Sequence, residues 1–205
     1  KASSDILSVM LRKFWLSGFD MYLGYAYVRA KDVVPMTSSV AGSNFDNVAL
    51  IDINNPTAGV TNYVVPHRFT ARASFGRDLF GSSETRFTVY GILQEGQPQS
   101  FVMGSQDLEG DGFYGRHLLY VPTGPNDPNV VFAEGFNASE FFDWVHRQGL
   151  EPGFVARNGQ HARWSKRFDF RIDQEFPTGI GDTQGRIYLK MHNVANFLNE
   201  DWGKR

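Results

Sequence analysis

The stretch RFDFRIDQEF, residues 167–176, alternates between apolar and charged side chains. One parity holds Phe168, Phe170, Ile172 and Phe176, and the other holds Arg167, Asp169, Arg171, Asp173 and Glu175. Successive side chains of a β-strand point to opposite faces of a sheet, so this segment predicts a strand with one apolar and one charged face. The function of the chain depends on which solvent each of these two faces contacts.

Five other segments show a period of two: residues 4–14, 19–29, 67–80, 85–95 and 186–199. We therefore expect six strands of about ten residues, the length with which a tilted strand crosses a bilayer. The chain contains no apolar run of the roughly 18 to 20 residues that a membrane-spanning helix requires.

The expected connections alternate in length. Short ones lie at 15–18, 81–84 and 177–185, and long ones at about 32–64 and 96–165. Loops this long are uncommon in compact soluble domains, whereas outer-membrane barrels combine tight periplasmic turns with long extracellular loops. The strands that enter the short turns end in Phe14-Trp15, Phe80 and Phe176. Aromatic residues at one end of every strand pair are typical of a membrane interface.

These patterns predict an all-β fold: an antiparallel, transmembrane β-barrel section of about six strands with long extracellular loops. The side chains expected to face lipid are Phe69, Phe168, Phe170, Ile172 and Leu189. Those expected to face a wet lumen are Arg68, Arg72, Arg167, Asp169, Arg171, Asp173, Lys190 and His192. The alternative is a soluble β-sandwich whose core is the Phe-bearing face, a carbohydrate-binding module with its site in the aromatic-rich loops. A secreted β enzyme is a third hypothesis.

Composition excludes several classes of function. The 20 basic and 22 acidic residues nearly cancel, which gives no electrostatic basis for nucleic-acid binding. Without cysteine the chain has no disulfide, no thiol nucleophile and no Cys-ligated metal. The five histidines are scattered without metal-ligand spacing, and no nucleophile elbow occurs. We therefore expect no enzymatic activity and no catalytic residue.

Two features stand out in the second long loop. Asp107, Glu109 and Asp111 form the first half of a calcium loop at 107–112, but the twelfth position is Leu118, so a simple polar turn is the alternative. Farther on, Asn137 precedes an apolar stripe and Gly149 follows it, which predicts a helix over 139–148.

The chain also resembles a known family, through motifs that occur in the family's order. They are GFDMYLGYAYVRAKDV, TNYVVPHRFTARASF, GILQEGQPQSF, DLEGDGFYGRHLLYVPTG, VARNGQHARWSKRFDFRIDQEFP and LKMHNVANFLNEDWG. They are similar to the late barrel strands of TonB-dependent outer-membrane receptors. The similarity is greatest to the Oar-like group, which has a carboxypeptidase-regulatory-like N-terminal domain. It spans roughly residues 18–203 and departs at Ala162, where the family often has Pro.

The resemblance implies a plugged barrel of about 22 strands in the bacterial outer membrane, which imports a large, scarce nutrient. The partners it implies are outer-membrane lipid, the remaining barrel and plug of the same receptor, and TonB through an N-terminal part. Residues 1–205 match six barrel strands and no plug. We therefore expect one section of the barrel, without a cofactor apart from the calcium candidate. The scaffold does not specify the ligand.

Overall fold

The computed structural model describes residues 2–104, 107–108, 110, 112–197 and 199. In chain order its strands are β1 (Ser3–Phe14), β2 (Phe19–Asp32), β3 (Gly59–Val60), β4 (His67–Phe80), β5 (Ser83–Gln94), β6 (Pro98–Gln99), β7 (Tyr120–Val121), β8 (Gly153–Phe154), β9 (Gln160–His161), β10 (Ser165–Pro177) and β11 (Gln184–Met191). The helices are α1 (Ala41–Asp46), α2 (Ala138–Gln148) and a 3₁₀ turn at Val194–Phe197. The prediction of an all-β, antiparallel fold with six long strands is confirmed.

The six long strands form one sheet in the order β1-β2-β4-β5-β10-β11. The pairs β2–β4, β4–β5, β5–β10 and β10–β11 are antiparallel, and each long strand lies beside the next long strand in the chain. The two-residue strand β3 extends the sheet beside the end of β2. Among the described residues, the outer strands β1 and β11 each have a sheet neighbour on one side only.

The short connections are tight turns at residues 15–18, 81–82 and 178–183. Gly18 shows why the first needs glycine: its φ is +84°, and an added Cβ would lie 2.2 Å from the carbonyl oxygen of Gly76. Between Asp78 and Phe80 the register of β4 against β5 shifts by one residue, which is a β-bulge. The bulge returns Phe80 to the face that holds Phe75 and Phe87, because Phe80 pairs with Ser83.

The predicted sixth strand is too long. β11 ends at Met191, and the chain then turns through Asn193, whose φ is +56°. The Asn193 backbone N–H donates to the Asp169 carboxylate at 3.1 Å, away from the ladder that a longer strand would extend. His192 therefore lies just beyond the strand on which it was expected.

The long connections cover residues 33–66 and 95–164, close to the predicted ranges, but they are not structureless. Backbone contacts divide the chain into two compact units. The sheet unit comprises 5–29, 65–97 and 162–205, and the loop unit comprises 1–4, 30–64 and 98–161. The loop unit has an apolar core of its own, formed by Val48, Leu50, Val64, Leu118, Val121 and Val145.

Helix α2 confirms the helix predicted over 139–148. The Asn137 side chain accepts a hydrogen bond from the Glu140 backbone N–H at 3.1 Å, and Gly149 ends the helix in the left-handed conformation. Val145 is buried on its inner face. Neither α-helix in the described part of the chain is long and apolar enough to cross a membrane.

Candidate functional site: the two faces of the sheet

The strand register gathers the apolar side chains on one face of the sheet, the apolar face. Directly opposed residues of paired strands point to the same side. One row across five strands consists of Phe19, Phe75, Phe87, Ile172 and Leu189. The next same-face row consists of Met21, Ala73, Val89, Phe170 and Met191, and a third holds Leu23, Ala71, Gly91 and Phe168. All five side chains expected to face lipid lie on this face, Phe69 beside Leu93.

Exposure on the apolar face is high. Phe69 is 43 % exposed, Phe168 37 % and Leu189 60 %. Phe170 and Ile172 are half-buried. In a sheet whose apolar face forms the core of a soluble domain, such side chains would be the most buried ones.

The opposite face, the charged face, holds the side chains expected to line a lumen. Arg68, Arg72, Arg167, Asp169, Arg171, Asp173 and Lys190 lie on it by register, Arg72 and Asp169 both opposite Tyr90. His192 reaches the same face from beyond β11, because its Nδ1 lies 3.1 Å from Asp169 Oδ2. The register and the His192–Asp169 contact thus bring all eight together on one side of one sheet.

Carboxylates are the most buried charged groups on this face. Asp20 is 8 % exposed, Asp169 4 % and Asp173 7 %. Asp20 accepts from Arg72 Nη2 at 2.7 Å and from Arg86 Nη1 at 3.2 Å. Each buried carboxylate therefore carries compensating partners, as low-dielectric surroundings require.

The cations on this face are held by neighbours two residues away as well as across strands. Arg171 makes two hydrogen bonds to Asp173, at 2.8 and 2.5 Å, and its guanidinium lies 4.2 Å from the Tyr188 ring centroid. This pairing matters because the residue opposite Arg171 is Lys190, a like charge. Arg186 likewise pairs with Glu175. The carboxylates of this face thus pair with arginines or a histidine of the same face.

Sequence reasoning missed part of this network. Asp20, Glu84 and Arg86 link β2 to β5, and Arg86 donates two hydrogen bonds to Glu84, at 2.8 and 3.0 Å. The available signal was parity, since Asp20 alternates with Phe19 and Met21. That signal is weak, because Asp20 is the only charged residue between positions 19 and 28, where both parities carry apolar or aromatic residues.

Aromatic side chains mark both ends of the apolar face. At the short-turn end, the register places Phe80 and Phe176 there, and the Trp15 ring lies 5.0 Å from Phe19. At the opposite end lies a second cluster that the sequence did not reveal. Tyr25, Tyr27, His67, Phe69 and Trp164 form it, with the Tyr25 hydroxyl 2.9 Å from His67 Nδ1 and Trp164 stacked on His67 at 6.3 Å.

The structure describes only part of the calcium candidate. Glu109 and Asp111 lie outside the described residues. The Asp107 carboxylate accepts the Gly112 backbone N–H at 2.9 Å, a bond typical of a polar turn. Within the described ranges no group of three His, Asp or Glu side chains could hold a metal ion.

A buried arginine links separate segments of the loop unit through hydrogen bonds. Arg157 is 5 % exposed, and its Nη2 lies 2.6 Å from Asp32 Oδ1. The same guanidinium donates to the carbonyls of Val33 at 3.1 Å and Gly59 at 3.2 Å. One side chain of the second long connection thus holds both ends of the segment at 32–59.

The next residue, Asn158, has a φ of +55° and makes further hydrogen bonds within the loop unit. Its amide nitrogen donates to the Val60 carbonyl and to Asn62 Oδ1, each at 2.7 Å. Its backbone N–H donates to Ser100 Oγ at 2.8 Å. Together these bonds form the Arg157–Asn158 cluster, which joins both long connections within the loop unit.

A third polar element orders residues 120–129. The Asp127 carboxylate accepts backbone N–H groups of Thr123 at 2.8 Å and Asn129 at 2.9 Å, and the Tyr120 hydroxyl at 3.2 Å. Hydrogen bonds from Thr123 and Asn129 lower the pKa of Asp127 to about 2. The turn is therefore held by an ionised carboxylate at neutral pH.

Comparison with known proteins adds no identity: no family model, no curated protein and no solved structure matches the chain.

Proposed function

We propose that this chain forms part of the wall of a transmembrane β-barrel in the bacterial outer membrane. The barrel is that of a TonB-dependent receptor of the Oar-like kind, which imports a large, scarce nutrient. The observation that carries the proposal is the burial pattern of the sheet, in which Phe69, Phe168 and Leu189 are exposed while Asp20 and Asp169 are buried. Lipid outside and a polar lumen inside require this arrangement.

The energetics favour lipid over water on the apolar face. Complete burial of a large apolar side chain stabilises a fold by roughly 1.5–3 kcal/mol, so each half-exposed one forfeits on the order of 1 kcal/mol in water. The face carries such side chains across five strands. A contiguous patch of this size marks a surface that another apolar phase covers.

The dimensions of the apolar face fit a bilayer. On β10 and its preceding residue, the two aromatic ends are Trp164 and Phe176. Twelve steps of about 3.3 Å span about 40 Å along the strand, or about 30 Å at a tilt near 40°. The hydrocarbon core of a bilayer is about 30 Å thick. Phe170, halfway between, would lie near the midplane.

The outer strands supply the link to the rest of the receptor. An open sheet edge in lipid leaves backbone groups unpaired at a cost of several kcal/mol each. We therefore assign β1 and β11 neighbours in the remaining barrel of the same receptor, with the plug inside and TonB acting through the plug-bearing part. The charged face, whose carboxylates pair with its own cations, serves as lumen wall and performs no bond chemistry.

The soluble β-sandwich is disfavoured by the sheets themselves. A sandwich requires a second sheet packed on the Phe-bearing face. Apart from the large sheet, the described residues form two sheets of two strands, and each of these strands has two residues. They are too small to cover five long strands.

Topology on intact cells tests the proposal. The loop at 95–164 should be extracellular and the turn at 178–183 periplasmic, because short turns of outer-membrane barrels face the periplasm. Epitope tags at Gly124 and Gly181 suit the comparison, since nothing lies within 4 Å of a Cβ at either position. Antibody should label the tag at 124 on intact cells, and the tag at 181 only after permeabilisation. Equal labelling of both tags, or labelling of 181 alone, would contradict the proposed orientation.

A further inference from the structure

Helix α2 presents a groove that the barrel-wall role does not use. Its volume is about 320 Å³, and its lining consists of Phe136, Asn137, Glu140, Phe141, Trp144 and Arg147. All six belong to the helix or the two residues before it. The groove is thus built on one rigid element of the loop unit.

The helix places charged and aromatic groups in alternation along the groove. Glu140, Trp144 and Arg147 stand at i, i+4 and i+7, which share one side of a helix. At 1.5 Å per residue, Glu140 and Arg147 are roughly 10 Å apart along the axis, with the indole between them. Phe142 and Val145 point away from this stripe, and Val145 is buried.

The indole is held in place by other rings. Phe101 packs edge-on against Trp144 at 5.0 Å with an interplanar angle of 75°, and Phe141 lies 6.1 Å away at 30°. Phe136, which is itself 47 % exposed, closes the row at 5.9 Å from Phe141. The aromatic floor is therefore formed before any ligand arrives, which reduces the entropic cost of binding.

The polar side chains at the two ends of the groove differ in their hydrogen bonding within the protein. Asn137 Nδ2 donates to Glu140 Oε2 at 3.1 Å, which orients that carboxylate and leaves its other oxygen able to accept. Arg147 is exposed and has no ion pair or hydrogen bond within the described ranges. An acceptor group and a five-donor group thus flank one aromatic surface.

This combination discriminates between ligand chemistries. A wholly apolar ligand would remove water from Glu140 and Arg147 without replacing their hydrogen bonds. A small anion would use Arg147 alone, and a small cation would use Glu140 and the ring faces but leave Arg147 without a partner. A ligand with apolar C–H faces and several hydroxyl groups satisfies both, because it packs on the indole while donating to Glu140 and accepting from Arg147.

We propose that the α2 groove binds a saccharide, with a sugar ring packed on Trp144 between Glu140 and Arg147. The binding site rests on the geometry of the loop unit alone. Its role as the first contact for an imported nutrient rests on the proposed function.

Titration of the whole receptor in lipid nanodiscs tests the site, with maltotriose, mannotriose and N-acetylglucosamine trisaccharide as probes. Saturation-transfer NMR should show at least one of them bound at millimolar concentration. Arg147→Ala and Glu140→Gln should each raise its Kd about tenfold, since each removes charge-assisted hydrogen bonds. Asp143→Asn is the matched control, because Asp143 is an exposed carboxylate of α2 that does not line the groove.

Absence of binding for all three trisaccharides would overturn the saccharide proposal. So would binding that neither groove variant weakens, because the site would then lie elsewhere. Trp144→Phe provides a second check: it keeps the ring packing on Phe101 and should weaken binding less than Arg147→Ala. The tags at 124 and 181 report topology independently of any sugar, so failure of one proposal is distinguishable from failure of the other.

Discussion

Substitution of Phe170 by arginine should destabilise the barrel by an amount that depends on depth in the membrane. Phe170 lies halfway between the aromatic ends of its strand, on the apolar face. An arginine on the lipid face costs about 2–4 kcal/mol at the midplane and about 0–1 kcal/mol near an interface. Phe176→Arg, on the same face at the short-turn end, should therefore cost about 1 kcal/mol or less.

The assay is reversible unfolding of the receptor from lipid vesicles in guanidinium, with both variants and the wild type measured in the same lipid. We expect Phe170→Arg to lower the free energy of unfolding by about 1–4 kcal/mol more than Phe176→Arg does. If water covered this face, both half-exposed positions would tolerate arginine within about 0.5 kcal/mol. Equal costs at the two positions would refute the depth argument, whatever their absolute size.

Two further predictions concern the loop unit. Arg157→Met should destabilise the loop unit by about 3–5 kcal/mol, because Asp32 loses its buried partner. Arg163→Met is the control, because Arg163 is exposed. Hydrogen exchange of residues 33–64 measures the stability of the loop unit in both variants. A second replacement, Asp32→Asn, should restore part of the loss, and no restoration would argue against the ion pair as its source. The pKa of Asp127 is about 2 in the fold and about 3.9 when unfolded. The stability that ionised Asp127 contributes is present above pH 4 and is lost as the pH falls through 2. The Thr123 and Asn129 amides should therefore lose protection against hydrogen exchange in that interval. Asp127→Asn should show no such pH-dependent loss.

The long strands were predictable because their side chains obey one rule that acts between neighbours in sequence. Alternation in β10 continues across β5 and β4, and the turn glycines set where each strand ends. The end of β11 was not predictable in this way. Asn193 leaves the ladder because its N–H donates to Asp169, a residue 24 positions earlier.

The loop unit escaped sequence analysis for a related reason. Its core brings Val48 and Leu50 together with Leu118 and Val121, which are about 70 residues farther along and follow no period. Arg157 likewise acts on partners up to 125 positions away. Only helix α2 was visible beforehand, because its cap, stripe and stop are all local signals.

Spin labels at two adjacent positions of β10 distinguish a lipid-facing from a water-facing side chain. The chain has no cysteine, so single cysteines at 170 and 171 can carry a nitroxide each without a competing thiol. In the membrane-embedded receptor, the label at 170 should relax with oxygen and not with a water-soluble nickel reagent. The label at 171, on the charged face, should relax with nickel and less with oxygen. The same response at both positions would contradict the assignment of lipid to the apolar face and of a wet lumen to the charged face.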